Sequence, residues 1–139
     1  GIAGERFGVR NSGCTAVIEG SGDHTCEYMT GGAVVVLGDT GNNFGAGMTG
    51  GLAFIYDKNK SFKNKINTQS VEISNLSNKV YSDHQGYLLK LLKSYYKKTK
   101  SIHADKIINN YKEEIKNFVM VKPKASSYKE LLNLITKVA

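Results

Sequence analysis

The stretch Met29-Thr30-Gly31-Gly32-Ala33-Val34-Val35-Val36-Leu37 is the middle one of three related copies near the start of the chain. The other two copies begin at Arg10 and Met48, so a glycine-containing turn followed by a short apolar run recurs every nineteen residues. A fixed period of about 20 residues is typical of chains wound into stacked coils, each of which buries its apolar face against its neighbours. The repeat therefore predicts a stack of coils with one short strand in each.

Glycines mark the turns of this repeat. Because glycine adopts positive φ and lets one turn lie close to the next, these positions are expected to be equivalent structural corners of successive coils. The predicted structural positions are Gly13, Gly32 and Gly51, together with Gly31, Gly50, Gly22 and Gly41.

The strands of the repeat carry apolar side chains on both of their alternating faces. The nineteen-residue alignment places them in rows, Thr15, Val34 and Ala53 on one face and Ala16, Val35 and Phe54 on the other. A strand that is covered on both faces is apolar along its whole length. One face is expected to fill the stack, and the other needs a cover, either the C-terminal helices or protein outside this chain.

The composition changes near Asp57. Residues 1–57 contain two arginines against six acidic residues, a net charge of −4, whereas residues 58–139 contain seventeen lysines, no arginine and six acidic residues, a net charge of +11. We therefore divide the chain into coils over 1–57, an irregular crossover with a short strand near Val71-Glu72-Ile73 over 58–82, and a helical cap over 83–139.

Three amphipathic helices are predicted in the cap, each with an apolar stripe at helical spacing. Ser101 is the expected N-cap of the second helix, and Ser127 begins a capping box at the third. Phe118 to Val121 is expected to be a short extended link. The three stripes are Leu88, Leu91, Leu92 and Tyr95; Ala104, Ile107, Ile108, Tyr111 and Ile115; and Tyr128, Leu131, Leu132 and Ile135.

The basic half of the chain raises the question of nucleic-acid or anion binding. Phosphate and base edges are read best by the planar fork of arginine, and residues 58–139 contain none. The lysines are therefore interpreted as solvated helix faces, and no nucleic-acid partner is expected. A Lys-rich binder stays open as the weakest alternative.

Two cysteines, Cys14 and Cys26, are too few for a disulfide framework or an iron–sulfur cluster. They indicate a reducing compartment, and a cytoplasmic location is expected. No apolar run approaches the length of a membrane span, so no membrane association is expected.

Two short motifs could carry chemistry. Gly45-Ala46-Gly47-Met48-Thr49-Gly50 matches the dinucleotide fingerprint, which counts only where it follows a strand and opens a helix. Here a strand is expected to follow it, so the repeat explains its glycines. Asp23-His24-Thr25-Cys26 could supply metal ligands or a thiol with its base, but a polar turn and a packed thiol are the favoured interpretation. His84 and His103 are interpreted as surface residues, and no catalytic, cofactor-binding or metal-binding residue is predicted.

The motif run closely resembles one family. Gly4-Glu5-Arg6-Phe7, Val9-Arg10-Asn11-Ser12-Gly13, Glu19-Gly20-Ser21-Gly22-Asp23-His24 and Cys26-Glu27-Tyr28-Met29-Thr30-Gly31-Gly32 are similar to the Gly-rich C-terminal domain of the glutamate synthase large subunit. The likeness continues through Ala46-Gly47-Met48 and covers most of the chain. It implies a mainly β fold, a single-stranded right-handed parallel β-helix with a small α-helical cap, and it alone supplies the handedness.

The resemblance also implies a function. The family's complete enzyme is an oxidoreductase that makes two L-glutamate from L-glutamine, 2-oxoglutarate and reductant, with FMN and a 3Fe-4S cluster held by other domains. This stretch is expected to be a C-terminal piece without catalysis of its own, supporting the preceding amidotransferase and flavin domains. A small electron-donating subunit is a further expected partner. The alternative is a free-standing β-helix subunit that docks on separately encoded oxidoreductase subunits.

Overall fold

The computed structural model describes residues 12–18, 30–38, 50–57, 71–124 and 127–132. Five strands and four helices lie in these ranges. In chain order they are β1 (Ser12–Ile18), β2 (Thr30–Val36), β3 (Gly50–Tyr56), β4 (Val71–Asn75), α1 (Ser82–Thr99), α2 (Ile102–Asn109), α3 (Tyr111–Glu114), β5 (Phe118–Pro123) and α4 (residues 128–132).

All five strands belong to one mixed sheet, in the order β1-β2-β3-β5-β4. The three repeat strands pair in parallel, β1 with β2 and β2 with β3. β5 then lies between β3 and β4 and runs antiparallel to both. The last of the described strands is therefore inserted inside the sheet, and β1 and β4 are the two outermost strands.

The predicted fold class, a single-stranded right-handed parallel β-helix with a small α-helical cap, is wrong. In the described ranges the strands form one mixed sheet that neither closes nor coils, with helices packed against it. Parallel stacking ends at β3 because the far edge of that strand is occupied by β5, which runs in the opposite direction. The repeat specified parallel pairing among its own three copies and carried no information about a strand from the helical region.

The register of β1 differs by one residue from the nineteen-residue alignment. Ala16 pairs with Val34 and Val17 with Val35, whereas the alignment placed Thr15 beside Val34. The structure has a register irregularity between Ser12 and Thr15. Since side chains alternate along a strand, a shift of one residue exchanges its two faces. The predicted rows hold for β2 and β3, where Val34 pairs with Ala53, and fail for β1.

One face of the sheet forms the main core with the helices. A row of paired residues crosses the sheet from Val17 through Val35 and Phe54 to Met120, and all four belong to this core. Leu88 and Leu92 of α1 are wholly buried in the same cluster. The C-terminal helices therefore supply the cover that the apolar sheet requires.

The opposite face of the sheet is also buried. Val34, Val36 and Ala53 are 0% exposed and Ile55 is 2% exposed, although none of them belongs to the helix-side core. Burial on both faces accounts for the continuous apolar runs of β2 and β3, since neither face requires polar residues.

The helices begin largely where their caps predict. α1 carries the first stripe and ends at Thr99, and its C-cap Lys100 adopts a left-handed φ of 56°. Ser101 caps α2, its Oγ accepting from the Ala104 N–H at 3.2 Å, and the Ser127 Oγ accepts from the Glu130 N–H at 3.2 Å. The second stripe is not one continuous helix, because it is divided into α2, α3 and a 3₁₀ turn over Ile115–Asn117.

The segment from Phe118 to Val121, predicted as a short link, is part of β5. Every residue of this strand is buried, from Phe118 at 0% exposed to Lys122 at 7%. The predicted strand near Val71 is confirmed as β4. Since β4 pairs only with β5 among the described strands, the two form one antiparallel unit.

Candidate functional site: the ties between sheet and helices

The predicted glycine positions lie at the start of the repeat strands. Gly32 and Gly51 have φ of 80° and 86°, in the region that favours glycine. Gly31 pairs with Ser12 and Gly50 with Thr30, beside the register irregularities. Gly13 lies in β1, and Gly22 and Gly41 fall outside the described residues. Their shared role as corners of a repeat stays a prediction.

A first set of contacts ties α2 and α3 to the ends of β2 and β3. The His103 Nε2 lies 2.8 Å from the carbonyl oxygen of Leu37, and the His103 ring meets Tyr56 edge-on with centroids 5.4 Å apart. The Tyr56 hydroxyl donates to a carboxylate oxygen of Glu114. Since a carbonyl oxygen only accepts, Nε2 carries the proton in this contact. His103 is half-buried, so its interpretation as a surface residue is wrong.

The Tyr56 phenol keeps its proton over the ordinary pH range. Burial first, and then the hydrogen bond to Glu114 and the charge of that carboxylate, raise the pKa of Tyr56 to about 12. Ionisation would place two negative charges beside one another in a poorly solvated position. The contact is therefore a stable donor–acceptor pair that holds α3 beside the end of β3.

A second set of contacts surrounds Lys122 of β5. Its side chain is 9% exposed, and its Nζ lies 3.0 Å from the Oε2 of Glu72, the residue opposite on β4. The same Nζ lies 5.5 Å from the centroid of the Tyr128 ring and donates to the Pro123 carbonyl oxygen at 3.3 Å. A lysine so deeply buried requires paired charge and acceptors, and these three groups supply them.

Tyr128 and His84 join this cluster from α4 and α1. The His84 Nε2 lies 2.9 Å from the Tyr128 carbonyl oxygen, and the Tyr128 hydroxyl donates to the Met120 carbonyl oxygen at 3.3 Å. Burial is the main cause that raises the pKa of Tyr128 to about 12. His84 is only 5% exposed, so it is a core residue and its surface interpretation is wrong.

A polar cleft opens where β4 leads into α1. Its volume is about 460 Å³, and its lining offers hydroxyl, amide and phenol groups. Gln85 closes the turn beneath it by donating to the Leu76 carbonyl oxygen at 2.8 Å, and the Tyr111 hydroxyl donates to the Gln85 carbonyl oxygen. The lining residues are Ser74, Asn75, Ser77, Asn78 and Tyr81.

The two motifs considered for chemistry find no support in the described residues. Gly50, the last glycine of the dinucleotide-like pattern, opens β3 and not a helix, so the context that a nucleotide fingerprint needs is missing. Asp23-His24-Thr25-Cys26 lies outside the described residues. Across the described ranges, no three or more His, Cys, Asp or Glu side chains gather in a way that could hold a metal ion.

The polar groups found here tie secondary-structure elements together. Contacts between different parts of the fold are made by five polar side chains, those of His103, Tyr56, Lys122, Tyr128 and His84. Four of these contacts join the helices to the sheet or one strand to the next, and that of His84 joins α1 to α4. Hydrogen bonds of this kind contribute about 1 kcal/mol each and fix orientation. In the portion of the chain that the structure describes, no helix has the length and apolar character of a membrane span.

The class of protein that this fold and these contacts define is a sheet–helix scaffold with a glycine-marked strand repeat. The chain belongs to the GXGXG motif family, whose model matches residues 1–124. The family resemblance read from the sequence motifs is thereby confirmed.

The relatives that share this region are glutamate synthases. The chain is 47% identical over 132 residues to the NADH glutamate synthase of Schizosaccharomyces pombe, covering 95% of this chain and 6% of that protein. It is 45% identical over 135 residues to the ferredoxin-dependent glutamate synthase of Antithamnion sp., covering 97% of this chain and 9% of that protein. It is 44% identical over 133 residues to the NADPH glutamate synthase large chain of Bacillus subtilis, covering 95% of this chain and 8% of that protein. The chain thus corresponds to a small part of each relative.

Proposed function

We propose that this chain is a structural segment of a glutamate synthase large chain and holds the geometry of the parts that carry catalysis. The observation that supports it most is the family match over residues 1–124, combined with relatives more than ten times longer than the matched region. Three polar side chains support it too, because His103, Lys122 and His84 each contact another element.

The parent enzyme in this proposal forms two L-glutamate from L-glutamine, 2-oxoglutarate and reductant. Its amidotransferase and flavin domains are the proposed partners, with a small electron-donating subunit as a further one. FMN and a 3Fe-4S cluster belong to those other domains. A cluster with three irons does not fit this chain, which has only two cysteines, and the described residues offer no alternative ligand group. The expected cytoplasmic location rests on the sparse cysteines and stays a prediction.

A chimera tests the proposal. The segment of the Bacillus subtilis large chain that matches this protein is replaced by the 139-residue chain, and glutamate formation is compared with that of a large chain lacking the segment. We expect the chimera to form glutamate and the deleted enzyme to lose most of its activity. An inactive chimera, or a deleted enzyme as active as the chimera, would contradict the proposal.

A third sample distinguishes a segment of one large chain from a free-standing subunit. Here the deleted large chain is mixed with the 139-residue chain as a separate polypeptide. Activity restored only by the covalent chimera supports a segment of one large chain. Equal restoration by the separate chain supports a free-standing subunit instead.

A further inference from the structure

Among the described residues, the outer edge of β4 carries backbone groups without a strand partner, and their positions follow from the pairing of β5. The Asp57 N–H donates to the Asn117 carbonyl oxygen at 2.6 Å, and the Leu76 N–H donates to the Phe118 carbonyl oxygen at 3.1 Å. Successive residues of a strand direct their backbone groups to opposite sides. Odd-numbered residues of β5 therefore bond to β3, and even-numbered residues bond to β4.

The same alternation applies to β4. Glu72 and Ser74 pair with Lys122 and Met120, so their backbone groups point inward to β5. Ile73, which pairs with Val121, and Asn75, which pairs with Val119, therefore direct their N–H and C=O groups to the outer side. No other described strand lies on that side of β4.

The side chains along this edge could contact an added strand on both faces of the sheet. Ile73 is half-buried on the face opposite the helices, while Glu72 on the helix side is 54% exposed even though it contacts Lys122. A carboxylate can accept several hydrogen bonds, so Glu72 can take a second cationic partner. Beyond Ser74 the polar cleft leaves room for hydroxyl or amide side chains.

We propose that the outer edge of β4 is a docking strand for an extended segment from the remainder of the large chain. This inference rests on the proposed function, since the relatives have more than 90% of their length outside the matched region. The docked segment alternates apolar residues, which lie beside Ile73, with basic or hydroxyl-bearing residues, which lie beside Glu72 and Ser74. Main-chain hydrogen bonds give such strand addition its affinity, and the alternate side chains give it specificity.

Hydrogen exchange tests the docking strand directly. The amides of Ile73 and Asn75 are compared between the isolated 139-residue chain and the Bacillus subtilis chimera, with the inward-facing amide of Ser74 as an internal reference. We expect the two outward-facing amides to exchange about 100-fold more slowly in the chimera, while the Ser74 amide is protected in both samples. Rates for Ile73 and Asn75 that agree within about twofold would overturn the inference.

A proline substitution provides a second measurement. Ile73→Pro removes only an N–H that points away from the ladder, which an edge strand tolerates. The isolated variant is expected to keep its fold, while the Asn75 amide in the chimera loses its added protection. Ile73→Val, which keeps the backbone donor, is the matched control and should leave protection unchanged. Protection that survives Ile73→Pro unaltered would count against the docking strand.

The outcomes separate this inference from the proposed function. An active chimera with unprotected Ile73 and Asn75 amides overturns the docking strand and leaves the proposed function in place. An inactive chimera contradicts the proposed function, whereas protected Ile73 and Asn75 amides in that same chimera still support strand addition.

Discussion

The imidazole of His103, in the first turn of α2, donates from Nε2 to the carbonyl oxygen of Leu37, which follows β2, at 2.8 Å. The two residues are 66 positions apart in the chain. The contact therefore joins the strand repeat to the helical region and satisfies a carbonyl that belongs to no described ladder. Its loss would leave that buried acceptor without its partner.

Substitution of His103 by alanine should destabilise the protein. We expect His103→Ala to lower the free energy of unfolding by about 1–3 kcal/mol, because it removes the hydrogen bond and the ring contact with Tyr56. Urea denaturation followed by circular dichroism measures the change. The control is Ile102→Ala next to it, at a side chain 73% exposed, which should cost less than about 0.5 kcal/mol. Equal effects of the two variants would contradict the role of the contact.

The repeat glycines should tolerate no side chain. Gly32→Ala and Gly51→Ala are each expected to cost about 1–2 kcal/mol, because φ of 80° and 86° brings a Cβ into conflict with the backbone. Thermal unfolding measures both. Gly86→Ala is the matched control: a Cβ there meets nothing within 4 Å, and alanine in α1 should stabilise by about 0.5–1 kcal/mol. A neutral Gly32→Ala would show that the positive φ is not required.

The Lys122–Glu72 pair should contribute more than an exposed ion pair. A double-mutant cycle with Lys122→Met and Glu72→Gln is expected to give a coupling of about 1–2 kcal/mol, because Lys122 is buried. The comparison is the Lys116–Glu113 pair, at 3.3 Å with side chains 67% and 75% exposed, where coupling should stay below about 0.5 kcal/mol. Similar coupling in the two cycles would mean that burial of Lys122 adds nothing.

The protein should lose stability in alkaline solution. Tyr56 and Tyr128 have folded-state pKa values of about 12 against 10.0 when solvated, so the folded state binds more protons between these values. Their contribution to stability is complete below about pH 10 and declines as the pH rises to about 12. Ultraviolet absorbance of the phenolate measures ionisation. Tyr128→Phe should remove part of the absorbance change that occurs as the pH approaches about 12. The urea-unfolded chain, in which all tyrosines ionise together near pH 10.0, is the control. If every tyrosine of the folded protein ionised near pH 10.0, as in the unfolded chain, the raised pKa values of Tyr56 and Tyr128 would be contradicted.

Local signals in the sequence identified much of the secondary structure. The repeat located β1, β2 and β3, and apolar spacing located α1 and α2, because strand and helix periodicities depend only on near neighbours. The Ser101 cap was predictable for the same reason, since its bond to the Ala104 N–H spans three residues. These features are encoded within one turn or one strand.

The errors concern contacts between distant parts of the chain. Pairing of Phe118 with Tyr56 cannot be read from the apolar run at Phe118, which fits a link as well as a strand. The one-residue slip in β1 arises from an irregularity that a constant period conceals. His84 and His103 were placed on the surface because their acceptors, the carbonyl oxygens of Tyr128 and Leu37, leave no trace in side-chain identity.

The buried polar ties were missed for a related reason. Lys122 lies beside Pro123 in a Lys-rich region, so in the sequence it resembles the solvated lysines around it. In the structure it is buried, at 7% exposed. The apolar run from Phe118 to Val121 is the signal that could have found it, because Lys122 lies on the same strand face as the buried Met120 two residues earlier. Glu72 in β4 offered the matching charge.

The placement of β5 has a consequence for synthesis on the ribosome. The edge of β3 that it covers emerges about sixty residues earlier, which at ordinary elongation rates leaves that edge open for roughly 3–12 seconds. An apolar strand with an unoccupied edge is a template for mispairing with other nascent polypeptides. During translation, the open edge of β3 is therefore protected either by a chaperone at the exit tunnel or by elongation fast enough for β5 to pair before another polypeptide does.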